Sequence, residues 1–147
     1  QQGKSELIEN LLLRSLKIDK KNLGVNHPEV ANDLNHLGIF YKNKGLFKKA
    51  EESFLTSLAI KKSTLGQRHF KVAVTLNNLA LLYVDSERYD KAAENFELCI
   101  EIIEETLGKN HKMLVTFLEN YADLLAKQGF NIEANALSRR IITIESN

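Results

Sequence analysis

One cysteine, one proline and seven glycines among 147 residues exclude a good deal before any motif is read. A lone thiol, Cys99, cannot close an intramolecular disulfide, so a disulfide-stapled secreted scaffold is excluded and a reducing, cytoplasmic setting is expected. So little Pro and Gly leaves small room for long loops or a disordered tail. Charge of one sign is missing too: 20 Lys and Arg stand against 19 Asp and Glu. That balance leaves no electrostatic footprint for nucleic acid or for an anionic membrane. No apolar run approaches the roughly 18 residues of a spanning helix, so no membrane insertion is expected. The opening QQGKSELIEN has no signal-peptide apolar stretch. HExxH, CxxC, GxGxxG, GxxxxGKS/T and GxSxG are all absent. No catalytic residue, metal or cofactor is expected.

What is present is repetition. LNHLGIFY (Leu34–Tyr41) returns as LNNLALLY (Leu76–Tyr83), 42 positions on. Leu-Gly pairs stand at Leu23-Gly24, Leu65-Gly66 and Leu107-Gly108, and a histidine follows each at one offset: His27, His69 and His111. Sliding Leu23–Thr64 onto Leu65–Thr106 matches 15 of 42 positions. Most matches are apolar or small, including Leu37/Leu79, Ala50/Ala92, Phe54/Phe96 and Ile60/Ile102, which is the pattern of a shared buried face. The copy from Leu107 is looser and keeps Leu118, Ala122, Leu125, Ala134 and Ile142. Glu6–Gly24 lies over Lys48–Gly66, so the start corresponds to the second half of a unit, as in an array cut from a longer one.

Each unit reads as a helical hairpin. Val30, Leu34, Leu37 and Tyr41 have helical spacing; Gly45 interrupts; Phe47, Ala50, Phe54 and Leu58 resume it. Pro28 suits a first helical turn and Gly66 a helix end. No stretch alternates as a strand would. The expected segments are 1–22 (a second helix only), 23–64, 65–106 and 107–147, all one domain.

These residues resemble tetratricopeptide repeats: Leu34, Leu37-Gly38, Tyr41, Gly45, Phe47, Ala50, Phe54 and Ser57 in one unit; Leu76, Leu79-Ala80, Tyr83, Tyr89, Ala92, Phe96 and Cys99 in the next. The second has Glu87 at the turn glycine, and the third keeps Tyr121-Ala122, Gly129 and Ala134. The 42-residue period and LGVNHPEVANDLNHL (Leu23–Leu37) are similar to the long repeats of kinesin light chains and related proteins. The resemblance implies an all-α, right-handed superhelical solenoid of stacked antiparallel hairpins. It implies a scaffold that binds an extended peptide or a partner helix, of unknown identity, in a concave groove lined by first helices.

By the same resemblance the groove residues are Asn35, Ile39, Lys42 and Asn43; Asn77, Asn78, Leu81, Val84 and Asp85; and Glu119, Asn120, Asp123 and Lys127. An Asn amide has donors and an acceptor that match a peptide backbone. The competing role for the Asn pair is to be solvated or to bond across to the neighbouring hairpin. Asp85, Glu119 and Asp123 argue against a strongly basic groove. Two other functions compete. One is self-association, or a spacer role, through exposed array ends, with Leu12 and Leu16 uncovered at the start. The other is RNA binding, which the charge balance and the core placement of Tyr41, Tyr83, Phe54 and Phe96 disfavour. The three histidines, one per unit, are expected to stay apart and serve as polar residues at helix starts. Cys99 is expected to be buried, with Glu97 and Glu101 raising its pKa.

Overall fold

A computed structural model describes residues 2–146, so Gln1 and Asn147, the outer ends of the first and last expected segments, lie outside the described residues. Seven helices follow in order: α1 (Gln2–Leu23), α2 (Pro28–Asn43), α3 (Phe47–Leu65), α4 (Phe70–Asp85), α5 (Tyr89–Leu107), α6 (Met113–Lys127) and α7 (Asn131–Glu145). Among the described residues there is no strand. Helices α2/α3, α4/α5 and α6/α7 pair as hairpins. The chain divides into two compact units, Gln1–Gln67 with α1–α3 and Arg68–Asn147 with α4–α7.

The period is written into the backbone. Three-residue turns join α2 to α3, α4 to α5 and α6 to α7. In each, the last turn residue donates its N–H across six residues: Leu46 to Tyr41 O, Arg88 to Tyr83 O and Phe130 to Leu125 O, at 2.8–2.9 Å. The residue before it donates to Lys42 O, Val84 O or Ala126 O. This pair of bonds is the Schellman arrangement, which needs one residue in the left-handed region. Gly45 (φ 71°) and Gly129 (φ 86°) supply it cheaply, whereas the second turn uses Glu87 at φ 59°. A side chain there costs about 1–2 kcal/mol. Glu87→Gly, which also frees the unfolded chain, is therefore expected to stabilise the second unit by about 0.5–1 kcal/mol net. A rise of a few degrees in melting midpoint checks it.

The first helices start alike as well. The Nδ1 atoms of His27, His69 and His111 accept the N–H two residues on, from Glu29, Lys71 and Met113, at 3.1–3.2 Å. An imidazole thus does the work of a capping hydroxyl or carboxylate, satisfying one of the four orphan donors of a helix start. The expected polar role at helix starts is what the three histidines perform.

In the first unit, Val30, Ala31, Leu34, Leu37 and Tyr41 of α2 pack on Ala50, Phe54 and Leu58 of α3. The Phe54 ring lies on Gly38, where a Cβ would come within 2.6 Å of it. On the other side α2 meets α1: the Tyr41 hydroxyl donates to Glu9 at 3.0 Å and Ser15 Oγ to Asp33 Oδ1 at 3.1 Å. Leu16 is buried and Leu12 half-buried, so these two are not the uncovered residues that the half-unit start suggested. They share the α1 face that α2 covers. Leu7, Ile8, Leu11, Leu13, Ile18 and Leu23 are the exposed apolar residues of α1.

Asp33 Oδ2 is buried without a hydrogen-bond partner. Burial, and then the neighbouring Asp19 carboxylate, push Asp33 up against the opposing pull of Ser15 and His36. A carboxyl raised in this way binds its proton more tightly folded than unfolded. Its contribution is complete below the ordinary carboxylate pKa and is lost as pH rises through the raised value. Asp33→Asn keeps an acceptor for Ser15 and removes the buried charge. It is expected to raise the melting midpoint at neutral pH and to flatten the pH dependence of melting across the carboxylate range. An unchanged slope in pH-dependent melts would contradict this.

In the second unit, Val72, Ala73, Leu76, Leu79 and Ala80 of α4, Ala92, Phe96, Cys99 and Ile103 of α5, and Leu114, Leu118 and Leu124 of α6 are buried. Phe96 stacks on Tyr121 with centroids 5.7 Å apart, and the Tyr121 hydroxyl donates to Glu97 at 2.6 Å. Burial and that bond push Tyr121 well above the usual phenol range.

Candidate functional site

Helices α4 and α6 run beside one another in the second unit. Asn120 Nδ2 donates to Asn77 Oδ1 at 3.1 Å and ties them together. Asn77 is only 6% exposed, and in the first unit Asn35 is 8% exposed. These two amides are therefore largely buried in this structure. A donor–acceptor group that suits a peptide backbone equally suits the next helix, and a buried amide must find such a partner. Of the two roles weighed for Asn77, the bond across to the neighbouring hairpin is the one present.

Around the pair, Asn78, Leu81 and Val84 of α4 and Asn120 of α6 are half-buried. Asp85, Glu119, Asp123 and Lys127 are exposed. The Lys127 ammonium lies 5.1 Å from the Tyr89 ring centroid, drawn toward the α4–α5 turn. Leu81 and Val84 lie one helical turn apart on α4, and the exposed acids of these two helices at the predicted positions are Asp85 on α4 and Glu119 and Asp123 on α6. In the first unit, Ile39 and Lys42 are half-buried and Asn43 is exposed on α2.

The α4–α5 turn gathers residues of which the sequence pattern marked only Glu87 and Tyr89, and those as repeat positions. Glu87, Arg88, Tyr89, Asp90, Lys91 and Gln128 line an open cleft of about 360 Å³. Arg88 sits 4.4 Å from the centroid of the Tyr83 ring, with Lys91 at 5.6 Å. Arg88 occupies the position that Leu46 and Phe130 hold in the other two turns. The visible signal is the basic residue following an aromatic by five, in a turn otherwise finished by a hydrophobe.

Cys99 is fully buried in α5, and its thiol donates to Phe96 O at 3.2 Å. Burial pushes the thiol up to about 12. Loss of hydration, not the adjacent Glu97 and Glu101, is the main cause, and such a thiol has little nucleophilic thiolate. Among the described residues, no three His, Cys, Asp or Glu side chains gather where they could hold a metal ion. Among the same residues, no helix is long and apolar enough to cross a membrane.

Family comparisons agree with this geometry. Two tetratricopeptide repeat models match, over residues 31–71 and 71–144. The chain belongs to the tetratricopeptide repeat family. No curated protein matches the sequence. Among solved structures, BtubC (BKLC) from P. vanneervenii aligns at 23% identity and a TM-score of 0.87 over 98% of this chain. A Podosopora anserina protein named for kinesin light chain and its nearly identical TPR-like repeats aligns at 23% identity and 0.78 over 99%. A single-substitution variant of that protein aligns at 0.80. The chain spans 57% of the length of the BtubC chain and 69% and 68% of the other two. The fold is the all-α, TPR-like solenoid type found in kinesin-light-chain-like repeats. Repeats of this family generally mediate protein–protein interaction, and the scaffold is typically non-enzymatic.

Proposed function

We propose that the second unit binds a protein partner on the α4–α6 face, as an extended peptide or as a helix. Leu81 and Val84 take an apolar side chain of the ligand, and Asn78 and the remaining hydrogen-bonding capacity of Asn120 engage its backbone. Asp85, Glu119 and Asp123 select a ligand with basic side chains nearby. The observation that carries this reading is the Asn77–Asn120 bond. It fixes the spacing of two first helices before any ligand arrives, so less ordering is lost on binding. Asn77 is then a positioning residue. Ile39, Lys42 and Asn43 on α2 form a separate candidate contact set in the first unit. The reading is of a binding scaffold in the cytoplasm with no cofactor and no chemistry of its own.

Leu81→Glu tests it, because the change falls on a half-buried surface position. Affinity capture from native lysate with wild type and variant side by side, read by mass spectrometry, is expected to lose partners at least tenfold with the variant. A matching melting midpoint shows that the fold survives. Identical captures would place binding elsewhere.

A further inference from the structure

Beside the turn into α2, the first unit has an open hollow of about 450 Å³. Helix α1, the α1–α2 loop and α3 wall it, and the buried side chains Leu34 and Ile60 are its floor. The same place in each of the two later copies, counted in steps of 42, is closed by an arginine. In the second copy Arg68 reaches from the loop to Glu101 of α5 at 2.9 Å and to Glu105 at 3.5 Å. In the third, Arg140 of α7 meets Glu104 of α5 at 2.6 Å and the Lys109 carbonyl of the loop at 3.0 Å. The first copy has no such pair to form: Asn26 stands for Arg68, Ala59 for Glu101, Ser63 for Glu105, Thr56 for Arg140 and Lys20 for Glu104. The floor registers the difference. Leu34 and Ile60 are 7% and 6% exposed, against 2% and 1% for Leu76 and Ile102 and 0% and 1% for Leu118 and Ile144. The hollow therefore follows from side-chain identity, since each later copy closes the place with residues of its own loop and helices.

The polar groups of the lining define what fits. Thr56 Oγ1 already donates to Glu52 O at 2.8 Å, and Ser63 Oγ to Ile60 O at 2.9 Å. Their hydrogens are used, so both hydroxyls face a ligand as acceptors. Lys20 brings donors alone, and the Asn26 amide brings two donors and an acceptor. Among the described residues that line the hollow, none is acidic. Val25 and Ala59 continue the apolar floor to the rim. A carboxylate suits Lys20 and Asn26, an N–H suits Thr56 and Ser63, and an apolar body suits Leu34 and Ile60. The volume falls within the range of small-molecule sites.

We propose that this hollow is a binding site for a small organic acid of the N-acylated hydrophobic amino acid class. Such a molecule carries the three required groups on one carbon. Its carboxylate meets Lys20 and Asn26, its amide N–H meets Thr56 or Ser63, and its side chain covers Leu34 and Ile60. Walls on three sides favour a compact molecule over a longer chain. The site lies in the other unit from the α4–α6 face, and the two proposals stand or fall separately.

The probe is N-acetyl-leucine, titrated into the isotope-labelled 147-residue chain and followed by the amide shifts of its NMR spectrum. Saturable shifts are expected at Val25, Asn26, Ala59 and Ser63. N-acetylleucinamide, which lacks the carboxylate, should bind roughly tenfold more weakly, and Lys20→Gln should weaken N-acetyl-leucine by a similar factor. The pair Asn26→Arg/Ala59→Glu rebuilds the closure of the second copy and should abolish binding with no fall in melting midpoint. Lys20→Gln, at an exposed position, gives a second reading that leaves the fold intact. Four results would overturn the proposal: no shifts at these amides; equal binding of acid and amide; binding that survives the Asn26→Arg/Ala59→Glu pair; or a longer peptide ending in leucine that binds at the same amides more tightly than N-acetyl-leucine, which would make a protein chain the occupant.

Discussion

Leu79→Asp is expected to abolish the folded state of the second unit. Leu79 is 3% exposed on α4, within a core that also contains Leu76, Phe96 and Leu118. The substitution removes apolar burial and places a carboxylate where no cation is provided. An unpaired buried charge costs several kcal/mol beyond the lost transfer energy, and either unit has only a marginal total to lose. Far-UV circular dichroism should show a large loss of helix, and the α4–α6 amides should lose protection in hydrogen exchange. A variant that melts within a few degrees of wild type would mean that Leu79 does not lie in the core as described.

Phe54→Ala should be the next most damaging change, at about 3–5 kcal/mol, because the ring is fully buried and its removal leaves a cavity between α2 and α3. The ring's contact with Gly38 makes a sharper test. Gly38→Ala alone drives a methyl into the ring and should cost about 1–3 kcal/mol. In the Phe54→Ala background the same methyl enters empty space. Denaturant unfolding of both single variants and the double variant should therefore give costs well short of additive. Strict additivity would show that the two residues are not in contact.

Much of this architecture was legible because each repeat copies local chemistry. The Leu-Gly pairs fall at helix ends: Gly66 and Gly108 sit at φ 94° and 102°, a region that a side chain disfavours. Gly45 and Gly129 mark the Schellman turns, and Glu87 shows that the turn survives a poorer residue when the rest of the hairpin specifies it. The matched positions Ala50/Ala92 and Phe54/Phe96 are buried in both copies, as a shared core face requires.

What was not legible depends on neighbours more than on type. Asn35 and Asn77 looked like recognition groups because an amide on an apolar helix needs a partner. The sequence could not say that for Asn77 the partner is Asn120, 43 residues on. Leu12 and Leu16 looked uncovered because the pattern holds no hairpin mate for them, yet α2 covers that side from the following repeat. The Arg88–Tyr83 contact depends on the turn bringing a residue five positions on back over the ring, which residue type alone does not specify. The histidines were placed at helix starts, but their capping bonds emerge only when ring and backbone come within reach.

The most direct test of the binding account is site-specific photo-crosslinking. A benzophenone amino acid at Leu81, on the α4–α6 face, is compared with the same group at Glu94, exposed on α5. Irradiation in native lysate should yield discrete higher-mass adducts from position 81, lost when Asp123→Lys reverses the neighbouring charge, and none from position 94. Adducts from position 94 with none from position 81 would contradict the account and move the binding surface to the second helices.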